Sequence, residues 1–290
     1  MKLILAGVLT LIASLLPDIL VRESAGFLPS WWAWAKAVLL VVLSLYLWVG
    51  ARERILAQYG IVLTVIVVVQ RVMGQVQASP WWQATFPPDS FSGHFGGEVL
   101  LKVLGIIPVV GILLLLYRSP REVLLVKGDL SAKASRIGWL GIEGGRISWG
   151  RLSVISGLLI ATGTLLLTLL TVTGLAQQAA WDRLPALLPL IGLLALANSL
   201  QEGVFYRSAV LGPLGEALPK DYLILIAAAF FGVAHYYGAP RGIVGVIMSG
   251  VLGWYMCRSM YETRGFVAAW IIHFFQDLVI LSTFAVLWGF

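Results

Sequence analysis

Cysteine, histidine and charge are all scarce in this chain: 290 residues hold one cysteine, three histidines and 12% charged side chains. The single Cys257 excludes an intramolecular disulfide and a cysteine-built metal site, and reads as a packing residue. A soluble domain usually has about a quarter of its residues charged. With 59% hydrophobic residues and a mean hydropathy of +0.91, this chain is too apolar for that class. Internal repeats, low-complexity tracts, a Gly-rich phosphate loop and basic runs interleaved with aromatics are all missing, so nothing points to nucleic acid. The net charge of +6 fits membrane topology and anionic headgroups instead.

What the chain does have is long apolar runs. Bounded by charge or by Pro and Gly, they predict spans near 3–21, 31–50, 59–75, 98–117, 152–174, 186–206, 221–237, 241–258 and 265–288, each close to the ~17–25 residues a bilayer needs. The fold class is therefore an all-α polytopic transmembrane bundle of eight or nine spans. The first run lacks a small-x-small cleavage site and reads as a membrane helix. Trp31, Trp32, Trp81, Trp82, Trp149 and Trp288 near span ends predict an interfacial aromatic belt.

Lys and Arg gather on the cytoplasmic side of membrane proteins. Segment 118–151 carries seven, namely Arg118, Arg121, Lys127, Lys133, Arg136, Arg146 and Arg151, whereas 76–97 carries none. This predicts an inside N-terminus, an inside 118–151 and an outside C-terminus, in the plasma or inner membrane. The expected organisation is N-terminal membrane helices over 1–117, a basic cytoplasmic insert over 118–151 and a catalytic membrane core over 152–290. Within the insert, Val123–Val126 and Ile142–Ile147, the latter around Gly144-Gly145, predict a small β-hairpin.

An ionisable side chain at the centre of a membrane helix costs roughly 2.5–3.5 kcal/mol on insertion scales, so each one kept there is a candidate for function. Glu202, His235, His273 and Asp277 are the candidates. Arg71 and Lys102 lie near span ends and are expected to snorkel to the interface. His273 and Asp277 are four apart, on one stripe of a helix, as are Phe231 and His235. Arg207 follows Glu202 by five residues, about 140° round a regular helix, so a direct pair is not expected and Arg207 is read as meeting headgroups or another helix end. Three helices in the last third of the chain thus each supply titratable groups. Scattered, these would be uncompensated in lipid; gathered, a carboxylate and two imidazoles activate water and bind an oxyanion, which is hydrolytic chemistry.

The stretches Glu202-Gly203-Val204-Phe205-Tyr206-Arg207, Phe231-Gly232-Val233-Ala234-His235 and His273-Phe274-Phe275-Gln276-Asp277 resemble the three motifs of the CAAX prenyl endopeptidase type II and bacteriocin-processing (CPBP) family of intramembrane glutamic proteases. Those motifs are Glu-Glu-x-x-x-Arg, Phe-x-x-x-His and His-x-x-x-Asn, in that order, and the resemblance covers roughly 186–290. It implies that Glu202 and His235 position and deprotonate the attacking water, that His273 with Asp277 binds the oxyanion, and that Arg207 and Phe231 support them. It also implies a membrane-anchored protein or peptide substrate, with no cofactor.

Two positions depart from the family pattern. Gly203 stands where the second glutamate falls, and Asp277 stands where the family has Asn. An ionised Asp cannot donate a hydrogen bond to an oxyanion, so Asp277 is protonated, or serves His273, or leaves the oxyanion to His273 alone. The span limits also set Glu202 towards the inner side and His235 towards the outer side; a helix break near Gly212-Pro213-Leu214-Gly215 would let them meet. The expected cavity lining is apolar and aromatic, with Phe205, Tyr206, Phe231, Tyr236 and Phe274. Alternatives are a metal-dependent protease with Glu202, His235 and His273 as ligands, a non-catalytic scaffold or immunity factor, and a proton-coupled carrier.

Overall fold

The computed structural model describes residues 1–171 and 178–287, and every regular element among them is helical. Helices α1 (Lys2–Ala13) and α2 (Leu16–Ala25) meet at a 49° bend, next to Pro17. Then come α3 (Trp32–Leu45), extended by a π-type turn over Tyr46–Gly50, α4 (Arg54–Gln77), the short α5 (Pro80–Thr85) and α6 (Phe91–Tyr117). The Ser90 hydroxyl caps α6 by accepting the Gly93 N–H at 3.1 Å, satisfying one of the free donors of a helix start. The second half comprises α7 (Trp149–Thr171), α8 (Gln178–Gly203), α9 (Ala209–Leu214), α10 (Lys220–Ala234), α11 (Ile243–Thr263) and α12 (Val267–Leu287).

Seven of these helices are long and apolar enough to cross a membrane, or eight if the bent α1–α2 pair counts as one span. The run missing from that count is the seventh, 221–237, which became α10; its 15 residues span about 22 Å at ~1.5 Å each, short of the ~30 Å hydrocarbon core. Large side chains such as Val38, Leu115, Leu159 and Leu193 lie exposed on the outside of the bundle, as lipid-facing residues do. Trp31 and Trp81 are exposed as a belt requires, but Trp149 and Trp82 are buried. Trp288 lies outside the described residues.

The sixth predicted span differs most from expectation. It does not end near 206. A π-type turn over Val204–Ser208 joins α8 to α9, and together they form a 34-residue segment from Trp181 to Leu214. After the short link 215–219 the chain returns through α10. Glu202 and His235 each lie about 20 Å from that link at ~1.5 Å per residue, hence at one depth. The two meet because the far end of the span lies further on, at Leu214, and not because a segment dips back into the protein.

Packing follows from small residues at the crossings. α12 lies against α7 and α8, α10 against α11, and α4 against α3 and α6. At Gly232 the α10 and α11 backbones touch: a Cβ there would stand 2.6 Å from the Val246 carbonyl oxygen, so only glycine allows this approach. The buried Cys257 is part of the core, together with Phe205, Phe231 and Met256.

The 118–148 insert is not a hairpin. Among the described residues there is no strand, only isolated antiparallel bridges Lys133–Ser148 and Ile137–Ile142. Val123, Leu124, Ala134 and Ile137 are buried, and the insert docks on the ends of α10 and α11. Glu262 of α11 is the anchor. It accepts the Ser135 N–H at 2.9 Å and the Ser135 hydroxyl, the Trp149 indole N–H at 2.9 Å, Lys220 at 2.9 Å and Arg258 at 3.0 Å. Backbone bonds Asp129 N–H to Thr263 O at 2.7 Å and Phe266 N–H to Val126 O at 2.8 Å complete the dock. These partners come from far along the chain, so local turn residues alone suggested a hairpin.

Candidate active site

The three motif helices converge. Glu202 near the end of α8, His235 at the end of α10, and His273 and Asp277 on one stripe of α12 form one polar cluster inside an apolar bundle. Glu202 Oε2 lies 3.7 Å from His235 Nε2 and 3.4 Å from His273 Nε2, and Asp277 Oδ1 lies 3.4 Å from His273 Nε2. His235 is the most exposed of the four at 29% of its side chain, against 3% for His273, so His235 faces the cavity and His273 lies behind Glu202, buried in the bundle.

The partners of each ring define its tautomer. His235 Nδ1 lies 2.8 Å from the Phe231 carbonyl oxygen, which can only accept; Nδ1 therefore carries the proton, and in the neutral ring Nε2 presents a lone pair towards Glu202. His273 Nδ1 lies 3.0 Å from Arg207 Nη2, and a guanidinium can only donate. Here Nδ1 accepts, so the proton sits on Nε2 and points at Glu202 and Asp277. The two imidazoles thus offer opposite functions to one small volume, an acceptor from His235 and a donor from His273.

Arg207 is fully buried, which overturns its assignment to headgroups. In the π-type winding over Val204–Ser208 residues five apart become neighbours, and the guanidinium swings to the Glu202 side of the helix. Its Nε and Nη1 have no hydrogen-bond partner among the described residues. The Phe231 ring, 5.3 Å from its Cζ, supplies a cation–π contact instead. Phe231 also packs on His235 at 4.4 Å and edge-on to His273 at 5.6 Å, so one ring spaces both imidazoles and the guanidinium.

Gly203 has a physical counterpart. A Cβ at 203 would lie 2.3 Å from the Phe266 ring and 3.1 Å from Arg207 Nη2. The Phe266 ring fills the room of a second carboxylate, which also leaves Arg207 short of acceptors.

Motif reasoning missed part of the cluster. Asn198, one turn before Glu202, donates from Nδ2 to Glu202 Oε1 at 3.2 Å and to Asp277 Oδ2 at 3.0 Å. Lys102 does not snorkel away. It donates to Asn198 Oδ1 at 2.8 Å, contacts Glu98 at 2.7 Å and lies 4.0 Å from Glu202 Oε1. An Asn four residues before a membrane glutamate shares its helix face, which was the available signal; nothing in the local sequence tied Lys102 to α8.

The cluster opens into a cavity of about 460 Å³ lined by Glu202, His235, Tyr206, Lys102, Gln70 and Gln77, among others. The lining is half polar, because α4 and α6 build one wall. Of the aromatics expected there only Tyr206 lines it. Phe205 and Phe231 are buried in the core, Phe274 belongs to a separate apolar cluster, and Tyr236 faces another groove. Arg71 lines an adjoining cavity with Asp18 and Lys36, which pair with each other.

Among the described residues no group of three or more His, Cys, Asp or Glu is placed to hold a metal ion, so the ligand set Glu202, His235 and His273 does not form one. Two cations, Arg207 on His273 and Lys102 beside Glu202, occupy the positions around it.

The chain is thus a bundle of helices long and apolar enough to cross a membrane, with a carboxylate and two imidazoles gathered beside a cavity. Residues 184–279 match the family model described as type II CAAX prenyl endopeptidase Rce1-like, a protease family, and the stretch contains all three motifs; this supports the family read from them. Comparison with curated proteins and with solved structures gives no match.

Proposed function

We propose that this chain is an intramembrane glutamic endopeptidase that hydrolyses a peptide bond in a lipidated, leader or C-terminal sorting segment of a membrane-anchored protein or peptide. The observation that carries the reading is the pair of opposed tautomers around Glu202. Glu202 Oε2, without a hydrogen-bond partner among the described residues, and the lone pair of His235 Nε2 are two acceptors 3.7 Å apart. A water donating one O–H to each satisfies both and is held with its own lone pair free.

In this mechanism the water oxygen attacks the scissile carbonyl carbon while its proton passes to Glu202, and His235 keeps the second O–H. The carbonyl oxygen becomes an oxyanion and takes the hydrogen bond of His273 Nε2–H, which Arg207 secures by donating to the other ring nitrogen. Asp277, held by Asn198, faces His273 Nε2 at 3.4 Å in the resting site, yields that N–H to the oxyanion and is not asked to donate. When the C–N bond breaks, the proton on Glu202 moves to the leaving amine, giving one acid and one amine from amide and water. The excess of Lys and Arg supports a cytoplasmic side for the basic face of the bundle, with the N-terminus and the 118–151 insert, in a plasma or inner membrane protein.

The test compares membrane-protein termini by mass spectrometry between cells producing the wild type and cells producing Glu202→Gln at equal levels. New termini that vanish in the variant are expected. Identical sets of termini, where the wild type has a phenotype, overturn the protease reading and favour a non-catalytic scaffold.

A further inference from the structure

Charge and cavity lie at opposite ends of the bundle. Lys2 pairs with Glu53 at 3.4 Å, which ties the N-terminus to the α3–α4 link with Arg52 and Arg54. The insert, which with Arg151 of α7 carries seven basic residues, is anchored through Glu262 to Lys220 and Arg258 at the start of α10 and end of α11. All of these belong to one face. The opposite face has Arg22 and Arg241, both over the Tyr237 ring at 5.4 and 5.7 Å, and Arg183 at the start of α8.

The cavity rim belongs to that second, cation-poor face. Of its lining residues, Gly74 and Gln77 are exposed in the last turn of α4, as is Gln70 two turns before, and the half-buried Tyr237 and Gly238 are in the α10–α11 link. None of the residues that line this cavity comes from α9, the insert or the α3–α4 link, and the groove at Arg121, Lys127 and Arg264 on the basic face shares no residue with it. Beyond Glu202 the chain continues through Phe205, Val210, Leu211 and Leu214, each at most 2% exposed, and Gly212 is pressed on Val123 of the insert, where a Cβ would lie 2.7 Å from the Val123 Cα. The insert and α9 together plug the cytoplasmic end.

We propose that the cavity opens on the non-cytoplasmic side, so that the substrate is a segment that has already crossed the membrane, rather than a tail presented from the cytoplasm. This rests on the protease reading for the word substrate and on the charge asymmetry for the side. It narrows the candidate chemistry to the translocated stretch or terminus of a membrane-anchored protein. A prenylated tail made and kept in the cytoplasm faces the plugged end.

The experiment labels single cysteines with a membrane-impermeant maleimide in right-side-out and inside-out vesicles from producing cells. Gln77→Cys reports the rim, Ser92→Cys reports the same face away from the cavity, and Glu143→Cys reports the insert. The native Cys257 is fully buried. The expected result is labelling of positions 77 and 92 from the outside only, and of 143 from the inside only. Labelling of 77 and 92 from the inside, or of any position from both sides, overturns the proposal; if Gln77→Cys does not accumulate, Ser92→Cys and Glu143→Cys still decide the side. Labelling needs no turnover, so an inactive chain still reports its orientation, whereas failure of the protease reading shows only in the comparison of termini.

Discussion

Glu202 and Glu262 are both largely buried carboxylates among cations, with 12% and 9% of their side chains exposed. Their oxygens are treated differently. Glu262 accepts hydrogen bonds on both oxygens from Ser135, Trp149, Lys220 and Arg258, and so joins the insert to three helices. Glu202 accepts one such bond from Asn198 on Oε1, while Oε2 has none among the described residues and faces two imidazoles at 3.4 and 3.7 Å. Buried polar groups are normally saturated. A carboxylate with every lone pair engaged is a clamp, and one with a free oxygen near an acceptor ring and a donor ring has capacity left to take a proton. Burial and nearby charge are alike in the two; saturation separates structure from chemistry.

Exchanging the two roles gives the sharpest tests. Glu202→Gln removes the proton acceptor and is expected to lower cleavage by about 10³- to 10⁴-fold, the upper range of general-base contributions, with the unfolding temperature in detergent nearly unchanged. Equal cleavage rates would make Glu202 a second clamp. Glu262→Ala does the reverse. Losing one partner of a buried ionic network costs about 3–5 kcal/mol, read as a lower unfolding temperature, while turnover per folded molecule persists. Gly203→Ala presses on Phe266 and is expected to cost about 1–3 kcal/mol, typical of overpacking; combining it with Phe266→Ala should recover part of that loss. Asn198→Ala frees Glu202 Oε1 and Asp277 Oδ2 and is expected to reduce cleavage about tenfold, some 1.4 kcal/mol, with little change in stability.

Spans, fold class and the four clustered residues were legible in the sequence because apolar runs and lone titratable groups are local signals. Glu202, His235, His273 and Asp277 stood out against their apolar neighbours. Lys102 did not, since it lay near a span end, and Glu262, past the end of the run 241–258, drew no reading; only tertiary placement shows one in the cavity and the other under the insert. Arg207 was misplaced because a regular helix was assumed where a π-type turn adds a residue to the winding. The insert was misread for a similar reason: its short apolar stretches and Gly144-Gly145 turn fit a strand pair, while backbone bonds tie it to Thr263 at the end of α11 and Phe266 just before α12. Equal depth for Glu202 and His235 required the end of α9, which an apolar count set eight residues too early.

Phe266 occupying the space beside Gly203 has a consequence for how such chains evolve. The two positions form one unit of inheritance: a carboxylate at 203 demands a small side chain at 266, and a ring at 266 demands glycine at 203. A lineage passes between the two states only through an intermediate that is crowded or hollow. Relatives aligned over this stretch should therefore show the two columns changing together, and a search that scores position 203 alone will rank chains of this kind below their kinship.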